Sequence, residues 1–302
     1  MALWANFCRQ RGPRLTDMSC AACQDSQHED CRGGSWCDCQ HWPVEPIAPV
    51  TGPAGAVTVD QIWPVSRLGL EPSDLTELYP RHPQPTLRVN FVASIDGAAT
   101  LAGTSGGLSG PADKQVFGVL RMVCDALIVA AGTVRSEQYD ALRLGPRNRA
   151  WRTAHGLPEF PLMVIVSGAL DLDLDQLIFS DAPIRPIVLT HAAAPAERRA
   201  RLGTVADVIV TGDTEVDLPA ALAALHERGA TQLLCEGGPH LLGALTAADL
   251  VDELCLTVAP MLAGAGAGRI TAGNPGPSRS MSLRSICSAH SMLFLRYAKP
   301  DR

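Results

Sequence analysis

The sequence predicts an α/β fold with a mostly parallel central sheet, helices on both faces and an antiparallel C-terminal hairpin. Continuous apolar runs at residues 126–131 and 162–166 are typical of strands that are buried on both faces, as in parallel sheets. Segments with helical periodicity alternate with such runs, and this alternation indicates repeated β-α-β units. The last two strand-like segments, 282–289 and 292–297, lie close enough in the chain to pair as a hairpin.

The first elements are an arm and a strand. Residues 57–85 predict an arm with one short helix, which Ser73 or Asp74 caps and Pro80 ends. The apolar run 87–94 then predicts the first strand of the sheet, and a glycine-rich loop follows it.

The remaining elements alternate regularly. Pro111 is a favourable first helical residue, so we expect a helix over 111–124 with Ser109 near its cap. One face of this helix is apolar: Val116, Val119, Leu120 and Val123. Further strands are predicted at 126–131, 162–166, 186–190, 205–210, 232–235 and 253–258. Further helices are predicted from Gly132-Thr133 onward and at 195–201, 218–228 and 240–247.

Composition divides the chain into a Cys/His-rich extension (1–42), a Pro/Gly linker (43–56) and a main domain (57–302). Six of the 10 cysteines fall in the first 39 residues, whereas the other four sit singly in apolar runs. Candidate zinc ligands in the extension are Cys20, Cys23, Cys31, Cys37 and Cys39. Their spacing matches no zinc-finger type, so the alternatives are a disordered Cys-rich extension or a leader translated from an upstream start, with Met18 as an alternative start.

Composition also excludes several classes of protein. Hydrophobic residues make up 46% of the chain and charged residues 19%, which excludes disorder of the whole chain. No apolar run approaches the roughly 20 residues of a membrane span, and the N-terminus lacks the apolar stretch of a secretory signal. The net charge of −6 argues against nucleic acid as a partner. We therefore expect a soluble, cytoplasmic protein with a small-molecule substrate.

Three predicted strand ends carry polar or glycine-rich segments. Asp96 follows the first strand, Gly132 and Thr133 follow the second with Glu137 one turn later, and 236–239 (EGGP) follow the sixth. Ligands of open α/β sheets bind beyond the carboxyl ends of strands, where glycines and helix starts suit phosphate groups. Each segment alone is also explained by an ordinary turn or helix cap. Together they predict a ligand site at one edge of the sheet.

The glycines at 264, 266 and 268 lack the helix that a dinucleotide fingerprint needs, and they predict a loop.

The sequence resembles the reductase domain of the bacterial riboflavin-biosynthesis deaminase/reductases, over about residues 87–297. The segments that carry the resemblance occur in the family's order: NFVASIDG (90–97), LSG (108–110), LR (120–121), DALIVAAGTV (125–134), EGGP (236–239), VDEL (251–254) and Pro260. The resemblance implies a dihydrofolate-reductase-like fold, a homodimer and NADPH as cofactor. It also implies a reaction in which hydride transfer reduces the ribosyl group of a phosphorylated aminopyrimidine to a ribityl chain.

The resemblance implies roles for individual residues. Cofactor-binding positions are Val92, Ala93, Ser94, Ser109, Gly132, Thr133, Val134, Ser167, Gly237, Gly238, Pro239, His240 and Leu241. Substrate-side positions are Asn90, Ser105, Arg121 and Arg143, and Arg121 is suited to bidentate binding of a phosphate. Asp96, Glu137 and Glu236 are the catalytic candidates, for orienting the ring or moving a proton.

Three departures from the family pattern concern the deaminase and the substrate side. The zinc-deaminase motifs are absent from this sequence, so no deaminase activity is expected. Asn90 stands where the riboflavin enzymes often have lysine. In the stretch after Thr133, residues 135–143 read RSEQYDALR instead of an acidic pair, a proline and a terminal arginine, so either Arg143 or Leu144 aligns with that arginine. Two alternatives stay open: a dihydrofolate or pterin reductase in which Asp96 faces the pterin, and a non-catalytic nucleotide-binding module.

Overall fold

The computed structural model describes residues 58–137, 139 and 141–300. In this part of the chain the strands are β1 (Val59–Trp63), β2 (Arg67–Leu70), β3 (Thr86–Ser94), β4 (Ala126–Ala130), β5 (Leu162–Val166), β6 (Ile187–Thr190), β7 (Asp207–Val210), β8 (Gln232–Cys235), β9 (Glu253–Ala259), β10 (Ser282–Ala289) and β11 (Met292–Ala298). The helices are α1 (Pro72–Leu78), α2 (Pro111–Val123), α3 (Ala131–Ser136), α4 (Pro146–Ala154), α5 (Leu177–Ser180), α6 (Ala196–Leu202), α7 (Leu218–Glu227) and α8 (Pro239–Ala247).

All of these strands form one sheet in the order β2-β1-β10-β11-β9-β3-β8-β4-β5-β6-β7. The strands from β9 to β7 in that order are parallel to one another. β11 pairs antiparallel with β9, and β10, β1 and β2 continue the antiparallel part. The predicted fold class and the C-terminal hairpin are therefore confirmed.

Each face of the sheet packs against its own hydrophobic cluster. Leu127 and Val129 of β4 point into one cluster, with α1 and α2, whereas Ala126 and Ile128 point into the other, with α7 and α8. The four residues that we predicted on one face of α2 are all buried in the first cluster. Alternation along the strands therefore supplies an apolar surface for helices on both faces, as the parallel pattern requires.

The N-terminal arm differs from its prediction. It contributes two strands, β1 and β2, which extend the antiparallel side of the sheet. The cap of α1 is also different, because Glu71 is the N-cap residue and Pro72 begins the helix. Asp74 lies within the first turn, where its Oδ2 accepts the Glu71 N–H at 2.8 Å. The prediction of Ser73 or Asp74 as the N-cap residue was therefore wrong, although Asp74 takes part in the capping box with Glu71.

Helix α4 was not predicted, because it has few apolar residues. Its anchor is Arg152, which is completely buried. The guanidinium donates to the carbonyl oxygens of Pro158, Met122 and Cys124 at 2.7, 2.8 and 2.5 Å. Two carbonyl groups at the end of α2 and one just after α4 thus take the place of an apolar stripe in holding α4 to the domain.

The predicted extension, the linker and the candidate zinc ligands Cys20, Cys23, Cys31, Cys37 and Cys39 lie outside the described residues. Within residues 58–137, 139 and 141–300, no group of three or more His, Cys, Asp or Glu side chains is placed to hold a metal ion. The helices of that same part are all too short or too polar to cross a membrane.

Candidate active site

The three polar strand ends meet at one edge of the sheet, as predicted. β8 lies between β3 and β4 and is parallel to both, so the segments that follow these strands are neighbours. The Ala130 N–H donates to the Gly237 carbonyl at 2.7 Å. A Cβ atom on Gly238 would lie 2.5 Å from Thr133 Oγ1, which is too close for any side chain. The glycine turn after β8 therefore packs directly on the start of α3.

Glu236, the first residue after β8, is the centre of a buried hydrogen-bonded cluster. Arg121 of α2 donates to it in a bidentate way, with Nε to Oε1 and Nη2 to Oε2 both at 2.7 Å. The Tyr139 hydroxyl donates to Oε2 at 2.5 Å. Only 2% of the Glu236 side chain is exposed, compared with 22% for Arg121. Three donors thus hold one buried carboxylate at the carboxyl edge of the sheet.

The protonation states of the two donor residues, Tyr139 and Arg121, follow from this environment. Burial raises the pKa of Tyr139 well above its ordinary value, and the charge of Glu236 raises it further. Burial acts to lower the pKa of Arg121, but the charge and hydrogen bonds of Glu236 outweigh it and raise that pKa. The cluster is therefore a charged guanidinium and a neutral phenol that both donate to the carboxylate.

Arg121, predicted from the sequence to bind a substrate phosphate, is paired with Glu236 in this structure. Two of its nitrogens are engaged by Glu236, and its guanidinium carbon lies 4.1 Å from the centre of the Phe117 ring and 5.5 Å from that of Tyr139. The bidentate donor face that we assigned to a substrate phosphate is thus occupied by a carboxylate of this chain. Sequence reasoning missed Tyr139, which lies in the stretch that departs from the family pattern.

Glu137 and Ser105 are also brought together. The Ser105 N–H donates to Glu137 Oε1 at 2.8 Å, and both residues are half-buried. This bond ties the glycine-rich loop after β3 to the end of α3. A predicted substrate-side residue, Ser105, and a catalytic candidate, Glu137, therefore contact each other directly.

Asp96 joins two loops at the end of β3. Its carboxylate accepts hydrogen bonds from the Ser94 hydroxyl, from the Ala263 N–H at 3.1 Å and from the Gly264 N–H at 2.8 Å. The Ser94 bond and the two amides lower the pKa of Asp96 to about 2. Asp96 is therefore ionised at neutral pH and holds the 263–268 loop, which has no helix, against the end of β3.

Two predicted cofactor-site serines make internal hydrogen bonds. The Ser109 hydroxyl donates to Asp113 Oδ2 at 2.6 Å, and the buried Asp113 carboxylate also accepts from Thr257 Oγ1 of β9 at 2.6 Å. Ser109 precedes the N-cap residue of α2, Gly110. Ser167 is buried after β5, and its hydroxyl accepts the Leu170 N–H at 3.0 Å. Both serines thus stabilise turns at the carboxyl edge of the sheet.

The start of α8 has no side-chain cap, and the two glycines of the turn before it, Gly237 and Gly238, are buried. Gly238 is its N-cap residue, Pro239 is its first residue, and no side chain caps its amide groups. His240 is exposed, whereas Leu241 is buried against the sheet. On the neighbouring strand end, a Cβ atom on Gly132 would meet no atom within 4 Å. The other assigned cofactor positions line the ends of β3 and β4: Val92 half-buried, and Ala93 and Val134 buried.

Within the described part of the chain, two predicted substrate residues form no hydrogen bond with the Glu236 cluster. Asn90 is buried in β3, opposite Cys255 of β9. Arg143 is exposed and pairs with Asp181, its Nε lying 2.8 Å from Oδ2. The alternative position, Leu144, is buried. The Arg143 guanidinium is therefore engaged at the surface, outside the cluster that the strand ends form.

Comparison with known proteins now decides the family. Residues 85–294 match the model of the RibD C-terminal domain. The chain belongs to this family. The resemblance expected from the sequence is thereby confirmed, and the matched residues include each of the three strand ends described above.

The relatives and solved structures agree with this assignment. A 2,5-diamino-6-ribosylamino-4(3H)-pyrimidinone 5′-phosphate reductase from Archaeoglobus fulgidus is 31% identical over 60% of this chain and 83% of its own length. The riboflavin biosynthesis protein RibD of Chlamydia trachomatis is 31% identical over 56% of this chain, but only 44% of that protein is covered. The crystal structure of a pyrimidine reductase-like protein from Corynebacterium diphtheriae superposes with a TM-score of 0.67 at 29% identity, covering 72% of this chain and 93% of that one. The named relatives are thus reductases and RibD proteins of riboflavin biosynthesis.

Proposed function

We propose that this chain is an NADPH-dependent reductase that converts the ribosyl group of a phosphorylated ribosylaminopyrimidine into a ribityl chain, without deaminase activity. The observation that carries the proposal is the 236–239 turn, which joins a hydrogen-bonded carboxylate to a glycine turn at the start of α8. The substrate class is supported by a relative of similar extent whose name gives a pyrimidinone ribosyl phosphate as its substrate.

The strand ends fit a nicotinamide dinucleotide. Gly238 lets the backbone turn pack on Thr133, and the uncapped start of α8 offers amide groups to a pyrophosphate. β8, β4 and β5 are consecutive in the sheet, so Ser167 extends the same edge to one side, where a 2′-phosphate would distinguish NADPH from NADH. We assign the cofactor to Val92, Ala93, Ser94, Ser109, Gly132, Thr133, Val134, Ser167, Gly237, Gly238, Pro239, His240 and Leu241. When bound, NADPH supplies the hydride that reduces C1′ of the sugar.

The substrate side is assigned to the face of the sheet that carries Glu236. Arg121 and Tyr139 orient the Glu236 carboxylate, which accepts a hydrogen bond from an N–H or O–H group of the substrate. Asn90 and Ser105 belong to the same side in this proposal. Arg143 is left out, because its guanidinium pairs with Asp181.

The reduction also needs a proton, because the sugar oxygen gains one when its bond to C1′ breaks. Asp96 and Glu236 each accept three hydrogen bonds from donors in the described part of the chain. Glu137 accepts one there, from the Ser105 N–H. Glu137 is therefore the carboxyl group least engaged by donors of this chain, and we assign proton transfer to it.

The test is a parallel assay of NADPH oxidation by the purified full chain. The substrates are the diaminopyrimidinone ribosyl phosphate, the corresponding aminouracil phosphate and dihydrofolate. We expect oxidation of NADPH with a pyrimidine phosphate and none with dihydrofolate, and the ribityl product is identified by mass spectrometry. Turnover of dihydrofolate alone would reassign the substrate pocket to a pterin, and a protein that does not bind NADPH would refute the proposal.

The proposal extends to organisation and assembly. Residues 57–302 form the reductase domain, preceded by the 1–42 extension and the 43–56 linker, in a cytoplasmic homodimer. Exposed apolar side chains on the β1–β2 arm, among them Ile62, Val65 and Leu68, support self-association. Light scattering on the full chain measures the oligomeric state, and a monomer at assay concentrations would exclude the dimer.

Metal analysis of the same sample tests whether the five N-terminal cysteines bind zinc.

A further inference from the structure

We propose that Tyr139 is a positioning residue for the reductase reaction: together with Arg121 it orients the Glu236 carboxylate toward the substrate. The inference rests on the proposed function, and it adds a residue that lies outside the segments by which the chain resembles its family. Tyr139 falls two residues after Glu137, in the stretch where the sequence departs from the family pattern.

The fold explains how Tyr139 reaches Glu236. α3 follows β4 directly, and β4 lies beside β8, so the residues after α3 are close to the residue after β8. The Tyr139 N–H donates to the Val134 carbonyl at 3.2 Å, which turns the chain back at the end of α3. The Tyr139 hydroxyl then lies 2.5 Å from Glu236 Oε2, although the two residues are 97 positions apart.

The three hydrogen bonds are distributed unequally over the carboxylate. Oε2 accepts from both Arg121 Nη2 and the Tyr139 hydroxyl, whereas Oε1 accepts from Arg121 Nε. An ionised carboxylate offers about four acceptor positions, two on each oxygen. Tyr139 thus completes the hydrogen bonding of Oε2 and leaves an acceptor position on Oε1 for the substrate.

The groups that face Glu236 keep their protonation states through the usual assay range. Burial, followed by the charge of Glu236, raises the pKa of Tyr139 well above its ordinary value, so the phenol remains a donor. The thiols of Cys124 and Cys235 also feel the Glu236 charge, and burial raises the pKa of each to about 12. Arg121 stays charged. The donors around the Glu236 carboxylate are therefore the same at every pH of the assay range. Only a substitution removes one of these hydrogen bonds.

Tyr139→Phe removes the hydroxyl and keeps the ring that stacks near Arg121. Because a hydrogen bond to a charged group is strong, we expect its removal to lower kcat roughly tenfold to a hundredfold. We expect the affinity for NADPH to stay unchanged and the acid limb of the kcat/KM profile to move to higher pH, because a carboxylate with fewer donors protonates more readily. Tyr79→Phe is the matched control, since it removes another buried tyrosine hydroxyl, at the end of α1, and we expect wild-type kinetics.

A double-variant cycle separates positioning from general support of the fold. Because Tyr139 acts through Glu236, Tyr139→Phe should have little further effect on kcat in a Glu236→Gln background. Equal losses in both backgrounds, or wild-type kcat and pH profile in a folded Tyr139→Phe protein, overturn the inference while leaving the proposed function intact. A wild-type chain that binds NADPH but reduces neither pyrimidine phosphate overturns the proposed function and this inference with it.

Discussion

Replacing Glu253 by Gln should destabilise the domain in a way that depends on pH. Glu253 begins β9, and 4% of its side chain is exposed. Its carboxylate accepts from Arg88 Nε and Arg296 Nη2, both at 2.6 Å, and lies 2.9 Å from His82 Nε2. Since β3 and β11 flank β9 in the sheet, this one carboxylate connects three neighbouring strands.

The magnitude follows from the pKa of Glu253. Burial acts to raise that pKa, but the charges and hydrogen bonds of Arg88 and Arg296 outweigh it and lower the pKa from 4.5 to about 2. This difference corresponds to about 3 kcal/mol of folding free energy. Because the folded-state pKa is depressed, the contribution is fully present above about pH 4.5 and is lost as the pH falls toward about 2. At neutral pH, Glu253→Gln should cost about 3–5 kcal/mol, because the buried Arg88 and the half-buried Arg296 lose their counter-charge.

Urea unfolding followed by circular dichroism, at about pH 7 and about pH 3, measures both effects. We expect the difference in stability between wild type and Glu253→Gln to shrink markedly at the lower pH, because protonation removes the same interaction. Glu77→Gln is the control, since it removes an exposed ion pair with Arg67 and should cost at most about 1 kcal/mol. A Glu253→Gln protein within about 1 kcal/mol of wild type at neutral pH, or a difference that does not change with pH, would refute the reasoning.

Three further predictions concern the loops and the packing around the site. Gly238→Ala places a methyl group 2.5 Å from Thr133 Oγ1, so NADPH affinity should fall at least about tenfold in a fluorescence titration, and less in a Thr133→Ala background. An unchanged affinity would contradict the packing of the turn. Asp96→Asn should speed amide exchange at Gly264 yet keep most of the activity, whereas a loss of about a hundredfold would indicate proton transfer by Asp96. Arg152→Met leaves the two buried carbonyl groups of Met122 and Cys124 without their donor and should cost about 2–4 kcal/mol in urea unfolding. A loss below about 1 kcal/mol would show that other donors replace it.

The parallel part of the sheet could be predicted because each strand carries its own signal. The run over β5, for example, is continuously apolar, which is the local consequence of burial on both faces. The arm could not be predicted in the same way. β1 pairs with β10, more than 200 residues later, and Ile62 and Leu68 in the arm are exposed rather than buried. Helix α4 could not be predicted for a related reason: it packs on the domain through Arg152 and not through an apolar stripe.

By itself, the sequence determined the α/β class, the family and the three strand ends that meet at one edge, because apolar runs, glycine turns and motif order are local properties. Only the tertiary structure decided which groups contact one another at that edge. Arg121 and Glu236 are 115 residues apart, and Tyr139 and Glu236 are 97 apart. These contacts form because β4 lies beside β8 in the sheet and because α2 packs over both strands. The spacing of residues along the chain does not show the order of the strands in the sheet. The sequence therefore predicts that Arg121 binds a phosphate, whereas in the fold Arg121 binds the Glu236 carboxylate.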